Sequence, residues 1–421
     1  MSVMNREVQI VKESVAMMTD GLGEKVIPRR AFLKGAVGLA AAITAGGLMP
    51  PSVEGAVATG QDAAFATQTA PRFAYVGCYT GADRGGHGKG ISVYRIDPLS
   101  GNWTQVQLLE AFNPSFLALD HRRRFLYSAH GDGDYVSAFA IDQQTGELTP
   151  LNRQSSGAKN AAHLSIDPTD KFLVTANYSS GSVTAFPINE DGSLDAFSDL
   201  VALPGDPGPH KIEQPKSRPH FSPFAPSGRF VVVADKGLDK VFVFRLDASS
   251  GKLIPNTPPW VKTRSGAGPR HVAFHPSKPY AYVLSELDST FTTYGYDPQQ
   301  GILNPIQIIP TLPATFTGNS VGAGISMASS GKFLYGSNRG HNSVATFAID
   351  QATGMLSPVG WEPTQGINPR FITLSPTGEY LYVANMESDN IVVFRVNKAS
   401  GKLTPTGQVL QTGSPSCIAF L

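Results

Sequence analysis

Two cysteines in 421 residues, Cys78 and Cys417, allow one disulfide at most, and no His/Cys cluster has the spacing of a zinc site. Net charge is close to nil: 34 Lys and Arg stand against 33 Asp and Glu, a balance of +1. Such a balance gives no electrostatic case for nucleic acid or an anionic membrane as a partner. Long apolar runs are missing too. The one candidate, Gly35 to Met49, is shorter than the ~20 residues a membrane-spanning helix needs. No stable membrane span is therefore expected in the processed chain.

What the chain does have is turn material, with 43 Gly and 32 Pro and no low-complexity tract. That usage points to many short strands rather than long helices. The first seventy residues are of another kind. Pro28-Arg29-Arg30-Ala31-Phe32-Leu33-Lys34, followed by the Ala/Gly-rich apolar run, resembles a twin-arginine signal for export of folded proteins. Ala56-Val57-Ala58 offers a small-x-small cleavage site. The expected organisation is a signal peptide over 1–58, a linker over 59–71 and a folded domain over 72–421. The export machinery is then a partner, and the periplasm or the cell exterior the destination.

From Phe73 onward one pattern returns about every fifty residues, a period that indicates propellers or solenoids. Its clearest copy runs from Gly268 to Ser289. Alternation of Val272 and Phe274, then of Tyr280, Tyr282 and Leu284, around a Pro-Ser-Lys-Pro turn gives two antiparallel strands. Related hairpins lie at 113–130, 160–177, 218–235, 323–338 and 368–385, each followed by a third strand and an Asp-x-x-(Ser/Thr)-Gly-x-Leu turn. The first copy, beginning at Phe73, lacks its first strand; Ser414 to Leu421 is a first strand with nothing after it. Complementary half-repeats predict an all-β, seven-bladed β-propeller, closed by pairing of the C-terminal strand with the N-terminal blade. Such closure leaves only short protected edges, and a monomer is expected.

Aligning the copies gives two rings of positions around the central channel, where a propeller's pocket usually opens. Entering the first strand are Ser115, Ala162, His220, Arg270, Ala323, Arg370 and Ser416. Leaving the second strand are Cys78, His130, Asn177, Asp235, Glu286, Asn338 and Asn385, with Arg339 one residue beyond. Most are bland. His220, Arg270, Glu286 and Arg339 are the exceptions, and His163, His271 and Arg370 are weaker candidates. A bland alternative stands beside them: Arg270 and Glu286 as a structural ion pair, His220 as a histidine satisfied by backbone, Arg339 as a turn residue.

Three other motifs lead nowhere. Gly318-Asn319-Ser320-Val321-Gly322 has the G-x-S-x-G form but enters a propeller strand, not the strand-to-helix turn a nucleophile elbow needs. Gly85-Gly86-His87-Gly88-Lys89-Gly90 has no Ser or Thr after its lysine and reads as a channel-edge loop. The oxygens of Asn177, Asp235, Glu286, Asn338 and Asn385 suit Ca²⁺ by type, but no metal and no other cofactor is expected.

Arg-Pro-His-Phe at 218–221, Gly-Pro-Arg-His at 268–271, Ser-Glu-Leu at 285–287 and Ser-Asn-Arg-Gly-His-Asn at 337–342 resemble the seven-bladed lactonase family. That family includes bacterial propeller-type 6-phosphogluconolactonases and fungal carboxy-muconate lactonizing enzymes. The resemblance implies a carboxylic ester hydrolase, here opening a small sugar-type lactone. It puts a proton-handling histidine at His220, a catalytic carboxylate at Glu286, and substrate-binding arginines at Arg270 and Arg339. Lactone opening needs an activated water and stabilisation of a tetrahedral oxyanion, which these residue types can supply. Two alternatives stay open: a non-catalytic exported binding or scaffold propeller, and a muconate-type cycloisomerase. An export signal does not suit 6-phosphogluconolactone itself, a cytoplasmic metabolite.

Ladder counting in the Gly268–Ser289 hairpin sets Arg270 opposite Ser285 and His271 opposite Leu284. Transferred to the closing blade, it sets Cys417 opposite Val76, with Cys78 a diagonal neighbour. Diagonal strand positions, roughly 7 Å apart, are wide for a disulfide, so two free thiols are expected.

Overall fold

The computed structural model describes residues 71–421. The expected signal peptide (1–58) and all but the last residue of the linker (59–71) lie outside the described residues. Within them the chain forms seven four-stranded antiparallel sheets. The one helical element among the described residues is a 3-10 turn, Ala82–Arg84. Blade 5 shows the plan: Pro269–Phe274, Tyr280–Ser285, Thr290–Asp297 and Ile302–Pro310 run from the channel outward. Blades 2 to 7 repeat this order. Blade 1 is built from Phe73–Cys78, Gly90–Ile96 and Trp103–Glu110, with Pro415–Phe420 supplying its innermost strand.

The innermost strands of successive blades pack side by side in a closed cycle. Outward the burial changes character. The second strands are almost wholly buried, whereas outer strands such as Trp103–Glu110 alternate between half-buried and exposed residues. A strand with both faces covered needs apolar side chains on both, which is why Phe230-Val231-Val232-Val233-Ala234 reads as a continuous run. Those faces meet in seven apolar clusters, one at each interface between neighbouring blades. Between blades 5 and 6, for example, Tyr282, Leu284 and Phe291 pack on Leu334 and Phe347. Each such side chain contributes roughly 1.5–3 kcal/mol by leaving water.

A polar tether accompanies this packing. The buried Tyr75, Tyr127, Tyr282 and Tyr335 donate their hydroxyls to Gly146, Gly192, Gly354 and Gly401 carbonyls, each in the next blade, at 2.9–3.1 Å. Three of those glycines end the repeated Asp-x-x-(Ser/Thr)-Gly turn, or its Asn variant. There an Asp or Asn side chain accepts from the backbone N–H groups two and three residues on, as Asp350 does from Ala352 and Thr353. Gly354 shows why the turn needs glycine: φ is +72°, and a Cβ would lie 2.6 Å from the Tyr280 ring. The turn motif read in the sequence is thus also the joint between blades.

Candidate active site

Every innermost strand carries a β-bulge at the same place. In blade 5 Pro269 pairs with Ser285 and His271 with Leu284, leaving Arg270 as the extra residue. The bulge residue is Ser115 in blade 2, Ala162 in blade 3, His220 in blade 4, Arg370 in blade 7 and Ser416 in the closing strand. In blade 6 two residues, Ala323 and Gly324, face the single Ser337. The first ring read from the sequence is therefore the ring of bulges. A bulge re-aims a side chain that the pleat would otherwise send into a blade interface, so these residues reach the channel.

The same bulges correct the ladder counting. Arg270 is not opposite Ser285; Pro269 is. Cys417 pairs with Gly77 rather than Val76, because Cys78 is the counterpart of Ser285 and not of Glu286. Both thiols are free and buried, and they face different partners: Cys78 Sγ lies 3.0 Å from the Gly90 carbonyl and Cys417 Sγ 3.3 Å from the Leu117 amide. Burial pushes Cys78 up to about 11 and Cys417 up to about 12.

The second ring was misaligned by one residue at a single blade. Asp235, Asn385, His130 and Asn177 pair with residues equivalent to Pro269, so their counterpart in blade 5 is Ser285, not Glu286. Their side chains serve the blades. Asp235 accepts from Ser217 and from the amides of Arg218, Gly237 and Leu238. Asn177 and Asn338 are bonded to Thr175 and Thr311 respectively. This is not a set of oxygens held toward a common ion, and no group of His, Cys, Asp and Glu able to hold a metal occurs among the described residues.

Glu286 belongs instead with Arg339, sixteen residues past each blade's bulge residue, in a ring with Tyr178 and Lys236. Tyr79 takes the matching place in blade 1. The structure brings all four predicted residues, His220, Arg270, Glu286 and Arg339, to the wall of one cavity of about 130 Å³. Arg370 stands there too, although the sequence ranked it among the weaker candidates. Tyr79 and Tyr178 complete much of the wall, and neither was among the candidates read from the sequence. The signal was present in the sixteen-residue spacing from Ala162 to Tyr178 and from His220 to Lys236. A larger cleft, about 650 Å³, lined by Asp120, Arg124 and Lys171, contains none of these groups.

One residue further along the innermost strands the channel is filled. Phe116 meets both Phe221 and Phe371 edge-on at 6.0 Å between ring centroids, and His163 and His271 lie against Phe221 at 3.8 and 4.3 Å. These residues come from five blades and meet across the axis. The site is therefore a cup with an aromatic floor, not a tunnel.

The electrostatics of the cup centre on Glu286, 7% exposed. Its Oε1 takes Lys236 Nζ at 2.8 Å and Arg339 Nη2 at 3.1 Å, and its Oε2 takes Arg270 Nη1. Burial alone raises a carboxyl, but Arg270, Arg339 and Lys236 outweigh it and hold Glu286 well below the usual carboxylate range. Arg270 is fixed further by donating Nε to the Ala323 carbonyl at 3.0 Å, and Arg339 by donating to the Gly322 carbonyl at 3.2 Å. Lys236 also reaches Glu213 at 2.6 Å. His220 is different. Burial, with Arg270 and His271 beside it, drives its imidazole well below the ordinary value, so it is neutral at pH 7. Its Nδ1 is buried without a partner.

Such a cup fits a small anionic or oxygen-rich molecule: the wall presents Arg84, Arg270, Arg339 and Arg370 against one carboxylate, with a neutral imidazole among them. A ring of seven four-stranded blades with this mouth defines a propeller of the enzyme-like type. The chain belongs to the family described as "Lactonase, 7-bladed beta-propeller", whose model matches residues 73–420. It is 37% identical over 306 residues to a 6-phosphogluconolactonase of Bacillus subtilis, covering 70% of this chain and 83% of the relative. It is 32% identical over 301 residues to a 6-phosphogluconolactonase of Formosa agariphila, covering 67% and 81%. A solved periplasmic gluconolactonase of Pseudomonas aeruginosa superposes with a TM-score of 0.78 at 29% identity, over 83% of this chain and 98% of that one.

Proposed function

We propose that this protein is a carboxylic ester hydrolase that opens a sugar-type lactone in the cup, with His220 as general base. The observation that carries this reading is the neutral, unpartnered His220 imidazole standing among fixed guanidinium groups. An imidazole must be neutral to accept a proton, and a cavity wall of cations stabilises the oxyanion formed when water adds to the carbonyl carbon. Lactone hydrolysis also accords with the names of the relatives. Glu286, with both oxygens held by cations, is a poor proton acceptor. Its part is to hold Arg270, Arg339 and Lys236 in place, and those arginines face the oxyanion or a carboxylate or phosphate on the substrate.

The test is a lactone panel with purified mature protein, followed by acid release. Turnover of at least one γ- or δ-sugar lactone is expected; no turnover of any, with the fold intact, sinks the enzyme reading in favour of a binding propeller. Including a muconate in the panel separates the cycloisomerase alternative. The second element of the proposal is location. Arg29-Arg30 and the apolar run after them support export by the twin-arginine route and an enzyme working outside the cytoplasm. Replacing both arginines by lysine is expected to leave the protein in the cytoplasm at unreduced length; unchanged export overturns that part.

A further inference from the structure

Opening a lactone needs two proton movements, and His220 accounts for one. The ring oxygen leaves as an alkoxide unless an acid protonates it. Attacking and leaving oxygens sit on one tetrahedral carbon, so the acid must be a close neighbour of the base.

Tyr178 meets that requirement. It lines the cup, and its ring stands edge-on to His220 at 5.6 Å between centroids. Its hydroxyl oxygen accepts from Arg218 Nη1 at 3.3 Å and from Lys236 Nζ at 3.4 Å. Both partners only donate, so the phenolic proton has no acceptor in these contacts, and among the described residues no other bond of this hydroxyl occurs. The Arg218 guanidinium also lies over the Tyr178 ring at 5.3 Å. Two cations thus face the oxygen on which negative charge develops as its proton departs. Both are anchored: Arg218 donates to the Glu213 carbonyl at 3.1 Å, and Lys236 is clamped between Glu213 and Glu286. The other tyrosine of the wall, Tyr79, accepts from Arg370 at 2.8 Å. The acid is placed on Tyr178 because, of the two, Tyr178 is the one whose ring stands against the His220 imidazole.

We infer that Tyr178 is the general acid that protonates the leaving ring oxygen, an assignment that rests on the lactonase reading above. The water oxygen bonds to the carbonyl carbon while its proton passes to His220. The carbon–ring-oxygen bond then breaks, and the departing oxygen takes the Tyr178 proton. Solvent returns the proton from the imidazolium to the phenolate, and the new carboxylic acid ionises to release one proton. No oxidant or co-reactant enters. Arg218 and Lys236 act through the phenol and are positioning residues.

A change of leaving atom tests this. Glucono-δ-lactone expels an alkoxide, whereas its 5-thio analogue expels a thiolate, whose conjugate acid near pKa 8.5 leaves without a proton. Tyr178→Phe is expected to lower kcat on the oxygen lactone by on the order of 10²-fold, with KM little changed. On the sulfur lactone the loss should stay below about 3-fold. Arg218→Met, which removes no atom of the cup wall, should show the same selectivity at a smaller amplitude, about 5-fold on the oxygen lactone alone. Equal losses on both lactones, or none on either, overturn the assignment. A wild-type protein inert toward both, when it turns over other lactones, overturns it as well. Inertness toward every lactone removes the lactonase reading first.

Discussion

The hairpins of blade 2 and blade 5 share one backbone and differ in what they do. Each bulges one residue after its proline, at Ser115 and at Arg270, and both side chains are buried. Sixteen residues later blade 2 has Gly131 and blade 5 has Glu286. The Ser115 hydroxyl has no partner. Arg270 holds a carboxylate shared with another arginine and a lysine. Gly131 is glycine for a local reason: a Cβ there would lie 2.9 Å from the Tyr79 ring and 3.0 Å from Ser115. At blade 2 small residues thus pack under an aromatic ring, whereas at blade 5 the mouth is charged. The repeat supplies positions, and only some blades load them.

The strongest way to sharpen the contrast is His220→Asn, the same size class without a base. It is expected to reduce kcat by about 10²–10⁴-fold in a steady-state assay while the melting temperature holds. A loss below tenfold would transfer the base to another group. Next is Glu286→Gln, which leaves Arg270 and Lys236 buried beside a neutral amide. Breaking a buried ion pair from one side typically costs about 3–5 kcal/mol, and denaturant unfolding should register a loss of that order. The matched change in blade 2, Ser115→Ala, removes a hydroxyl that bonds to nothing and should stay within about 0.5 kcal/mol. If the two changes cost the same, the comparison between blades fails.

A more gradual effect is expected on acid stability. His163, His220 and His271 are all driven well below the ordinary histidine value by burial. Below about pH 6.5 the unfolded chain takes up protons that the folded chain refuses. Stability is therefore full above pH 6.5 and falls as the medium is acidified toward the folded-state values, by up to about 1.4 kcal/mol per unit for each histidine. Urea midpoints between pH 7.5 and 5 check this. His271→Phe should flatten the slope, and an unchanged slope would show that His271 does not contribute.

These residues differ in how plainly the sequence announces them. The first ring was legible because the bulge residue follows a proline or a small residue in most copies and stands just before an alternating run. The fold was legible for the same reason: period, turn motif and half-repeats all agree. The second ring was harder. A bulge adds one residue without disturbing the alternation on either side, so counting outward from the turn puts Arg270 opposite Ser285 and Glu286 level with Asp235. Lys236 and Tyr178 then fall outside both rings. Their importance comes from burial across a blade interface, beside Glu286 and His220, which no local pattern encodes. Arg370 was undervalued for a similar reason: its partner, Tyr79, lies in a blade 291 residues away.

The pairing of Pro415–Phe420 with Phe73–Cys78 governs the order in which the molecule can come into being. Arg72 and Leu421 are joined by a 2.8 Å backbone hydrogen bond, so the two ends of the propeller strands are neighbours. During synthesis the Phe73–Cys78 strand must wait with one open edge until Pro415–Phe420 has been made, because among the described residues no other strand pairs on that edge. Blades 2 to 7 can form as they emerge, but the ring can lock only once the Pro415–Phe420 strand exists. In the finished molecule the starting point is arbitrary. Joining Leu421 to Arg72 through a short linker and cutting between Lys262 and Pro269 would give a chain of different order and the same circle. Blade 5 would then begin the chain, and the last strand made would no longer be the one that shuts the ring.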